Sequence, residues 1–172
     1  MTTASTIREP DAETQWCVVH ARPRCEKKIL ALCRQHAVEA YLPLLPKRHR
    51  YGARIRITET PLFRGYVFVC ASARDRSFLR QNDYVANLLE TSRQTELYQE
   101  LRALAHSLSV GRVVDVLPYL EEGRRVAIQT GPFKGMEGMI LRVKNQDRVV
   151  IQIELIQQSV VFEADSASVK PE

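Results

Sequence analysis

The sequence predicts an α+β protein in which an antiparallel sheet with packed helices is followed by a small all-β barrel. First, the stretch from Gly65 to Ala71 is apolar on both faces, as expected of a central buried strand. Second, one segment before it and one after it repeat apolar residues at helical spacing. Third, short alternating runs separated by turn residues fill the chain after Gly123, where no helix is predicted.

The first strand and the first helix are predicted near the start of the sheet domain. Trp16 to His20 is typical of a strand, which Pro23 ends. A helix is predicted from Arg24 to His36, because apolar side chains recur on one face and basic side chains on the other. The apolar face consists of Cys25, Ile29, Leu32 and Cys33, and the basic face of Arg24, Lys27, Lys28 and Arg34.

The rest of this domain continues to mix strands and helices. Strands are predicted over 39–44, 65–71 and 85–89, the last at a sheet edge, and helices over 74–81 and 96–108. The segment KRHRYGARIR, residues 47–56, is strongly basic and predicts a hairpin or a mobile loop. Together these elements predict one sheet with helices packed on it.

The C-terminal part has a different pattern. Residues 109–120 have weak periodicity and are interpreted as a linker. Short strands follow over 125–130, 137–144, 148–153 and 160–163. Short strands within about fifty residues bury their apolar faces by curling into a small barrel. We therefore predict a first domain over 14–108, a linker over 109–120 and a barrel domain over 121–172.

The charge of the chain is distributed unevenly. The net charge is +5 over 172 residues. From His20 to Arg80, fourteen Lys or Arg residues outnumber four Asp or Glu residues, whereas the chain from Glu121 onward has seven basic and eight acidic residues. A basic excess confined to one domain fits contact with a polyanion, although a basic surface that is only solvated has the same composition.

The sequence also argues against several functional classes. No apolar run is long enough to cross a membrane and the first fifteen residues lack an apolar signal core, so we expect a cytoplasmic protein. The four cysteines form no CxxC pair and lie in apolar stretches, which predicts buried free thiols. The four histidines are scattered, and no nucleophile with a partnered base is apparent, so we expect neither an enzyme nor a cofactor.

One stretch of the predicted barrel, GPFKGMEG from Gly131 to Gly138, spaces three glycines around a Pro-Phe pair. Glycine takes the positive φ that a tight corner between strands needs. The longer stretch EGRRVAIQTGPFKGMEGMILRVKNQDRVVIQI, from Glu122 to Ile153, resembles the KOW motif of the bacterial NusG family of transcription elongation factors. That resemblance implies an SH3-like barrel.

The N-terminal half resembles the same family. WCVVHARPRCEKKI (residues 16–29), AYLPL (40–44) and PLFRGYVFV (61–69) follow one another as in the N-terminal (NGN) domain of NusG. Several segments, including YLPLLPK and the C-terminal end, are more similar to specialised paralogues of the RfaH and UpxY kind. The resemblance implies a monomeric antitermination factor that acts at specific operons, with a general elongation or termination factor and an RNA-binding or ribosome-associated KOW protein as alternatives.

The resemblance also implies which residues bind RNA polymerase. In the family, an apolar patch on the N-terminal sheet binds the clamp helices of the largest polymerase subunit. The matching residues are Trp16, His20, Phe63, Tyr66 and Phe68. Arg64, also in this region, stands where the family usually has proline. Arg76 and Ser77 match a region that approaches the opposite side of the polymerase cleft. Aromatic side chains in strands also suit a buried core, so both roles remain open here.

The remaining residues implied by the resemblance concern nucleic acid and the barrel. Contacts with non-template or upstream DNA are implied for Arg22, Arg24, Lys27, Lys28, Lys47, Arg48 and Arg50. The barrel surface that meets a ribosomal protein or another protein corresponds to Phe133, Leu155, Ile156 and Gln158. The segment from Leu155 to Gln158 lacks the aromatic and arginine residues that the family has there, which argues against binding of the termination factor Rho.

Overall fold

The computed structural model describes residues 7–110, 113–118, 124–127, 137–143 and 146–163. The chain divides into two compact units, one formed by Arg8–Ser92 and the other by the chain from Arg93 onward together with the N-terminal segment through Ile7. Both units contain antiparallel sheets, and three α-helices are present in the described residues. The predicted mixture of an antiparallel sheet and helices is confirmed.

The first unit is built on a four-stranded antiparallel sheet. Its strands are β1 (Thr14–Ala21), β2 (Glu39–Tyr41), β5 (Tyr66–Ser72) and β6 (Val85–Leu89), in the order β2-β5-β1-β6. The sheet register places Val18 opposite Phe68 and Ala40 opposite Val69. The apolar stretch around β5 is therefore an inner strand, as predicted, and β6 is the predicted edge strand.

One face of this sheet is covered by two helices, α1 (Glu26–Gln35) and α2 (Ala73–Arg80). Alternate residues of β1 and β5 meet Ile29 and Cys33 of α1 and Leu79 of α2 in one buried cluster. The strand residues of this core are Cys17, Val19, Ala21, Val67, Val69 and Ala71. Because side chains alternate across a strand, their sequence neighbours belong to the opposite face.

The ends of the two helices follow from local chemistry. α1 begins at Glu26 and not at the predicted Arg24, because Arg24 has a φ of 63°, which is outside the helical region. α2 begins with a reciprocal cap, in which the Asp75 backbone N–H donates to Ser72 Oγ (3.2 Å) and the Ser72 backbone N–H donates to the Asp75 carboxylate (3.1 Å). This cap satisfies two backbone donors and fixes where α2 starts.

The basic segment forms a two-stranded hairpin of β3 (Leu44–Tyr51) and β4 (Arg54–Pro61). Gly52 turns the chain with a φ of 59°, a left-handed conformation that glycine adopts without strain. The register pairs Lys47 with Thr58 and Tyr51 with Arg54. Of the two predicted alternatives for this segment, the structure has the hairpin.

The second unit contains α3 (Gln94–Val110) and a five-stranded antiparallel sheet. The strands are β7 (Val113–Pro118), β8 (Arg124–Ala127), β9 (Glu137–Val143), β10 (Gln146–Ile153) and β11 (Gln158–Glu163), in the order β7-β11-β10-β9-β8. One 3₁₀ turn, Glu154–Ile156, joins β10 to β11. The four predicted C-terminal strands are present, and β10 and β11 each begin two residues before their predicted starts at 148 and 160. The predicted strand residues 128–130 and 144 lie outside the described residues.

Two features of the second unit differ from the sequence interpretation. Residues 109–120, interpreted as a linker, contain β7, which pairs with β11 from Val113↔Phe162 to Pro118↔Gln158. α3, predicted within the first domain, packs against β10 in the second unit. The Arg93 guanidinium binds both carboxylate oxygens of Glu154 at 2.7 Å, which ties the start of α3 to the end of β10. The glycine-rich corner 131–136 lies outside the described residues.

Candidate functional site

The second face of the four-stranded sheet carries a group of aromatic side chains. Trp16, Val18 and His20 of β1 alternate with the helix-facing core residues, and Tyr66 and Phe68 do the same in β5. Tyr41 of β2 is paired with Phe68 across the sheet. We call this surface, together with Phe63 beside it, the aromatic face. It brings together all five aromatic or histidine residues that the family resemblance assigns to polymerase binding.

The interior of the aromatic face is closely packed. The Phe63 and Phe68 rings meet edge to face with centroids 6.1 Å apart, and the Tyr41 ring lies 6.2 Å from that of Phe68. Trp16, Phe63 and Phe68 are 1%, 3% and 0% exposed. The Trp16 indole N–H donates to the Arg8 carbonyl at 2.8 Å, so its polar atom is satisfied. These three side chains therefore belong to the core of the structure.

The rim of the aromatic face is accessible. His20 is exposed and stacks on the half-buried Tyr66, with ring centroids 5.2 Å apart and planes 23° apart. Tyr41 belongs to the interior instead, where burial raises the pKa of its hydroxyl well above the ordinary value and keeps it neutral. The rim thus presents a flat pair of rings, of which the His20 ring is the more accessible.

The loop before β5 holds this ring pair in place. Gly65 has a φ of 82°, and its backbone N–H donates to the Glu26 carboxylate at 2.8 Å. Its carbonyl accepts from the Ala21 backbone N–H at 2.8 Å. A side chain at this position would meet the His20 ring at 3.6 Å in a strained backbone conformation. Arg64, which stands where the family usually has proline, is exposed beside this loop.

Arg76 and Ser77 lie apart from the aromatic face, because they belong to α2 on the other side of the sheet. The Arg76 guanidinium donates to the Ala71 carbonyl at 2.8 Å and pairs with Glu90 at 2.8 Å. These contacts leave Arg76 largely buried and give it a structural role in joining α2 to β6. Ser77 is exposed.

The basic residues near α1 form a second exposed surface. Arg22, Arg24, Lys27 and Lys28 are all exposed. The Lys28 ammonium lies 5.2 Å from the centre of the Tyr84 ring, and Lys27 donates to the Glu59 carbonyl at 2.8 Å. Lys27 therefore joins α1 to the hairpin, while Arg22 and Arg24 are directed to the surface. Lys47, Arg48 and Arg50 are exposed on the hairpin itself.

The predicted partner surface of the second unit is described only in part. Phe133 lies outside the described residues. Leu155 and Ile156 form the 3₁₀ turn between β10 and β11, Ile156 is buried, and Gln158 begins β11 half-buried. Gln157 between them has a left-handed φ of 53°.

The cysteines do not form a reactive site. Cys17, Cys33 and Cys70 are buried and free, as predicted, whereas Cys25 is half-buried. Burial raises the pKa of the Cys17 thiol to about 12 and that of Cys33 to about 11, which keeps both protonated. Within the described ranges, no group of His, Cys, Asp or Glu side chains has the arrangement of a metal site. None of the helices in these ranges is long and apolar enough to span a membrane.

Sequence reasoning missed two features of these surfaces. Tyr41 joins the aromatic face, and its pairing with Phe68 depends on a register that the sequence does not reveal. The hairpin exposes three large apolar side chains, Tyr51, Ile55 and Ile57. In the segment RIRI, residues 54–57, the isoleucines alternate with arginines, and this alternation could have predicted a strand with Ile55 and Ile57 on one face.

One family model matches this chain over more than half of its length. A family model described as "Transcription termination factor nusG" matches residues 14–103. The solved structure described as "Domain interaction in Thermotoga maritima NusG" is 23% identical, with a TM-score of 0.48, and the alignment covers 88% of this chain and 94% of that chain. A search of curated proteins finds no match. Since the family model spans more than half of the chain, this protein belongs to the NusG family of transcription factors.

Proposed function

We propose that this NusG-family protein binds the clamp helices of the largest RNA polymerase subunit through its aromatic face. The observation that supports this most strongly is the division of the four-stranded sheet. One face is covered by α1 and α2, whereas the other carries the aromatic side chains and ends in the accessible pair of His20 and Tyr66. The His20–Tyr66 pair is therefore the point at which a partner first contacts this face.

The aromatic face suits a protein partner for physical reasons. Aromatic rings bury a large area with few rotatable bonds, so fixing them on binding costs little entropy. Here the Glu26–Gly65 hydrogen bond and the stacking of His20 on Tyr66 fix the rim before any partner arrives. Pre-ordered contact groups of this kind strengthen binding by lowering its entropic cost.

The basic surface near α1 gives the proposal its second contact. Arg22 and Arg24 adjoin the end of β1, the strand that carries His20 at the rim. Guanidinium groups bind phosphates. When polymerase is bound at the aromatic face, we therefore propose that these arginines contact the phosphates of non-template or upstream DNA. Such phosphate contacts position the protein without specifying a sequence.

The mechanism that we propose is processive antitermination, which involves no enzymatic step. A factor that binds the closed, elongating form of polymerase more tightly than the paused form shifts the equilibrium toward elongation. The chain from Arg93 onward contributes the five-stranded sheet, which we propose to be a KOW-type SH3-like barrel. Its partner surface around Leu155 and Gln158 has neither an aromatic residue nor an arginine, so binding of Rho is not part of the proposal.

Binding of the full chain to core RNA polymerase tests the clamp interaction. We expect His20→Ala and Tyr66→Ala each to weaken binding at least about tenfold, because each removes half of the stacked pair at the rim. His36→Ala is the matched control, since His36 is an exposed histidine whose ring contacts that of Phe78 on α2, away from the aromatic face. The proposal is contradicted if only His36→Ala loses affinity for polymerase. It is also contradicted if His20→Ala and Tyr66→Ala both bind polymerase as tightly as the parent protein.

A further inference from the structure

The hairpin of β3 and β4 has two chemically different faces. Residues paired across the hairpin share a face, because side chains alternate along each strand. The register pairs Arg48 with Ile57, and the next pair toward the turn on the same side is Arg50 with Ile55. We call the side that carries these four side chains the isoleucine face. The register assigns Tyr51 to the opposite side.

The two isoleucines are unusually accessible for large aliphatic side chains. Ile55 is 65% exposed and Ile57 is 59% exposed, although isoleucine is among the residues most often found buried. They lie two residues apart on one strand, so roughly 6.6 to 6.8 Å separates them and they form one apolar strip. Strand propensity does not require isoleucine here, since threonine is also β-branched and is polar. The strip is therefore a candidate contact surface.

The arginines beside the strip indicate the charge of the group that would contact it. Arg48 and Arg50 are exposed, and among the described residues no ion pair engages either guanidinium. The Arg50 Nε–H donates to the Gly52 carbonyl at 3.2 Å, a contact that leaves its charge in place. The only acidic residue of the two strands, Glu59, lies on the same face in the pair next to Ile57. The cations of this face thus outnumber its carboxylates, which favours an acidic partner.

We propose that the isoleucine face binds an acidic amphipathic helix of another protein. Such a helix buries aliphatic side chains against Ile55 and Ile57 while its carboxylates pair with Arg48 and Arg50. Residues four apart on a helix are separated by about 6 Å along its axis, which is close to the spacing of the two isoleucines. The aliphatic stems of the arginines widen the apolar surface that the helix covers.

The same observations argue against three other occupants. The family resemblance implies DNA contact for Arg48 and Arg50, but phosphates offer no apolar surface to an isoleucine, and an isoleucine offers no ring on which a base can stack. A symmetric contact with a second copy of this chain would bring four arginines into one small interface. A membrane surface is bound through a much larger apolar face than two isoleucines provide.

The test uses two synthetic peptides of about 16 residues, long enough to form a helix. One repeats the unit Glu-Glu-Leu-Leu, and the other repeats Lys-Lys-Leu-Leu, which keeps the leucines and reverses the charge. Fluorescence anisotropy of each labelled peptide with the full chain measures binding. We expect the acidic peptide to bind at least about tenfold more tightly than the basic one. Because no polymerase is present, failure of this test leaves the proposed function untouched.

The apolar contact is tested by Ile55→Thr/Ile57→Thr, which keeps β-branched residues in the strand and removes the apolar strip. We expect this variant to bind the acidic peptide at least about tenfold more weakly than the parent protein. Tyr51→Thr is the matched control, since it removes the large exposed side chain from the opposite side of the same hairpin. The control should lose no more than about twofold.

The charged contact is tested by Arg48→Gln/Arg50→Gln. We expect this variant to weaken binding of the acidic peptide at least about threefold and to reduce its dependence on salt. The matched control, Arg54→Gln/Arg56→Gln, removes two charges from the opposite side of the hairpin and should retain more of the affinity.

Several results would overturn the proposal. They are equal losses in a variant and its matched control, equal binding of the two peptides, and no binding of either peptide. Tighter binding to single-stranded DNA or to vesicles of anionic lipid, if lost in Ile55→Thr/Ile57→Thr, would assign the isoleucine face to that ligand instead. Self-association of the parent chain in sedimentation, if abolished by the same variant, would assign it to a second copy.

Discussion

Replacing Phe68 with alanine is expected to lower the free energy of unfolding by about 3 to 5 kcal/mol. Phe68 lies in the inner strand β5, is fully buried, and contacts Phe63 and Tyr41 through ring packing. Its truncation removes a large apolar side chain and leaves a cavity that fixed strands on either side cannot fill. Urea denaturation of the full chain measures the effect.

Phe78→Ala is the matched control for this prediction. Phe78 lies on α2, is 37% exposed, and contacts the ring of His36. Because solvent already reaches Phe78, we expect its truncation to cost about 1 kcal/mol or less. Equal losses in the two variants would show that the aromatic face does not contribute to the core. The same reasoning excludes Phe63→Ala as a clean test of polymerase binding, since Phe63 is buried.

The second prediction concerns Glu100 on α3. The pKa of this carboxyl is raised from its ordinary 4.5 to about 7, mainly by burial. The Glu154 carboxylate acts in the same direction, whereas the Glu154 backbone N–H and Arg93 act in the opposite direction. The Glu154 N–H donates to Glu100 at 3.4 Å. The folded protein therefore binds a proton at Glu100 in the range where the unfolded chain has released it.

The sign of the effect follows from this difference in proton binding. The contribution of Glu100 to stability is fully present below about pH 4.5 and is lost as the pH rises through about 7. We expect Glu100→Gln, which is neutral at every pH, to raise the free energy of unfolding at about pH 8 by roughly 1 to 3 kcal/mol. The variant should also flatten the dependence of stability on pH between about 5 and 8.

Glu96→Gln is the control for Glu100, because Glu96 is an exposed glutamate on the same helix. Its pKa is lowered by a backbone hydrogen bond at Glu96 and by Arg93, which is the opposite direction from Glu100. This substitution should therefore not stabilise the protein at high pH. A pH dependence unchanged in Glu100→Gln would show that Glu100 is not the group that titrates.

Much of the first unit could be predicted from its sequence. β5 is apolar on both faces and α1 has one apolar and one basic face, and such patterns reflect burial directly. β7 was missed because VVDVLP is short and contains an aspartate, and its strand conformation depends on pairing with β11, which is distant in sequence. The packing of α3 with β10 likewise depends on tertiary contacts and not on helical periodicity.

The candidate sites were predictable as residue types but not as surfaces. The family resemblance selected Trp16, Phe63 and Phe68 together with His20 and Tyr66, and the sequence could not tell which of these are buried. Side chains alternate between the two faces of a sheet, but which set faces the core is fixed only by the register in which the strands pair. The same limit applies to the hairpin, where Lys47 and Arg48 are adjacent in sequence but lie on opposite faces.

Site-specific photocrosslinking to core RNA polymerase tests the central claim most directly. A photoreactive amino acid in place of the exposed His20 at the rim of the aromatic face should crosslink to the clamp helices of the largest subunit. The same group in place of the exposed His36, which packs against α2, should give no such product. Crosslinks from the His36 position without any from the His20 position would contradict the account, because they would place polymerase on the helical side of the sheet.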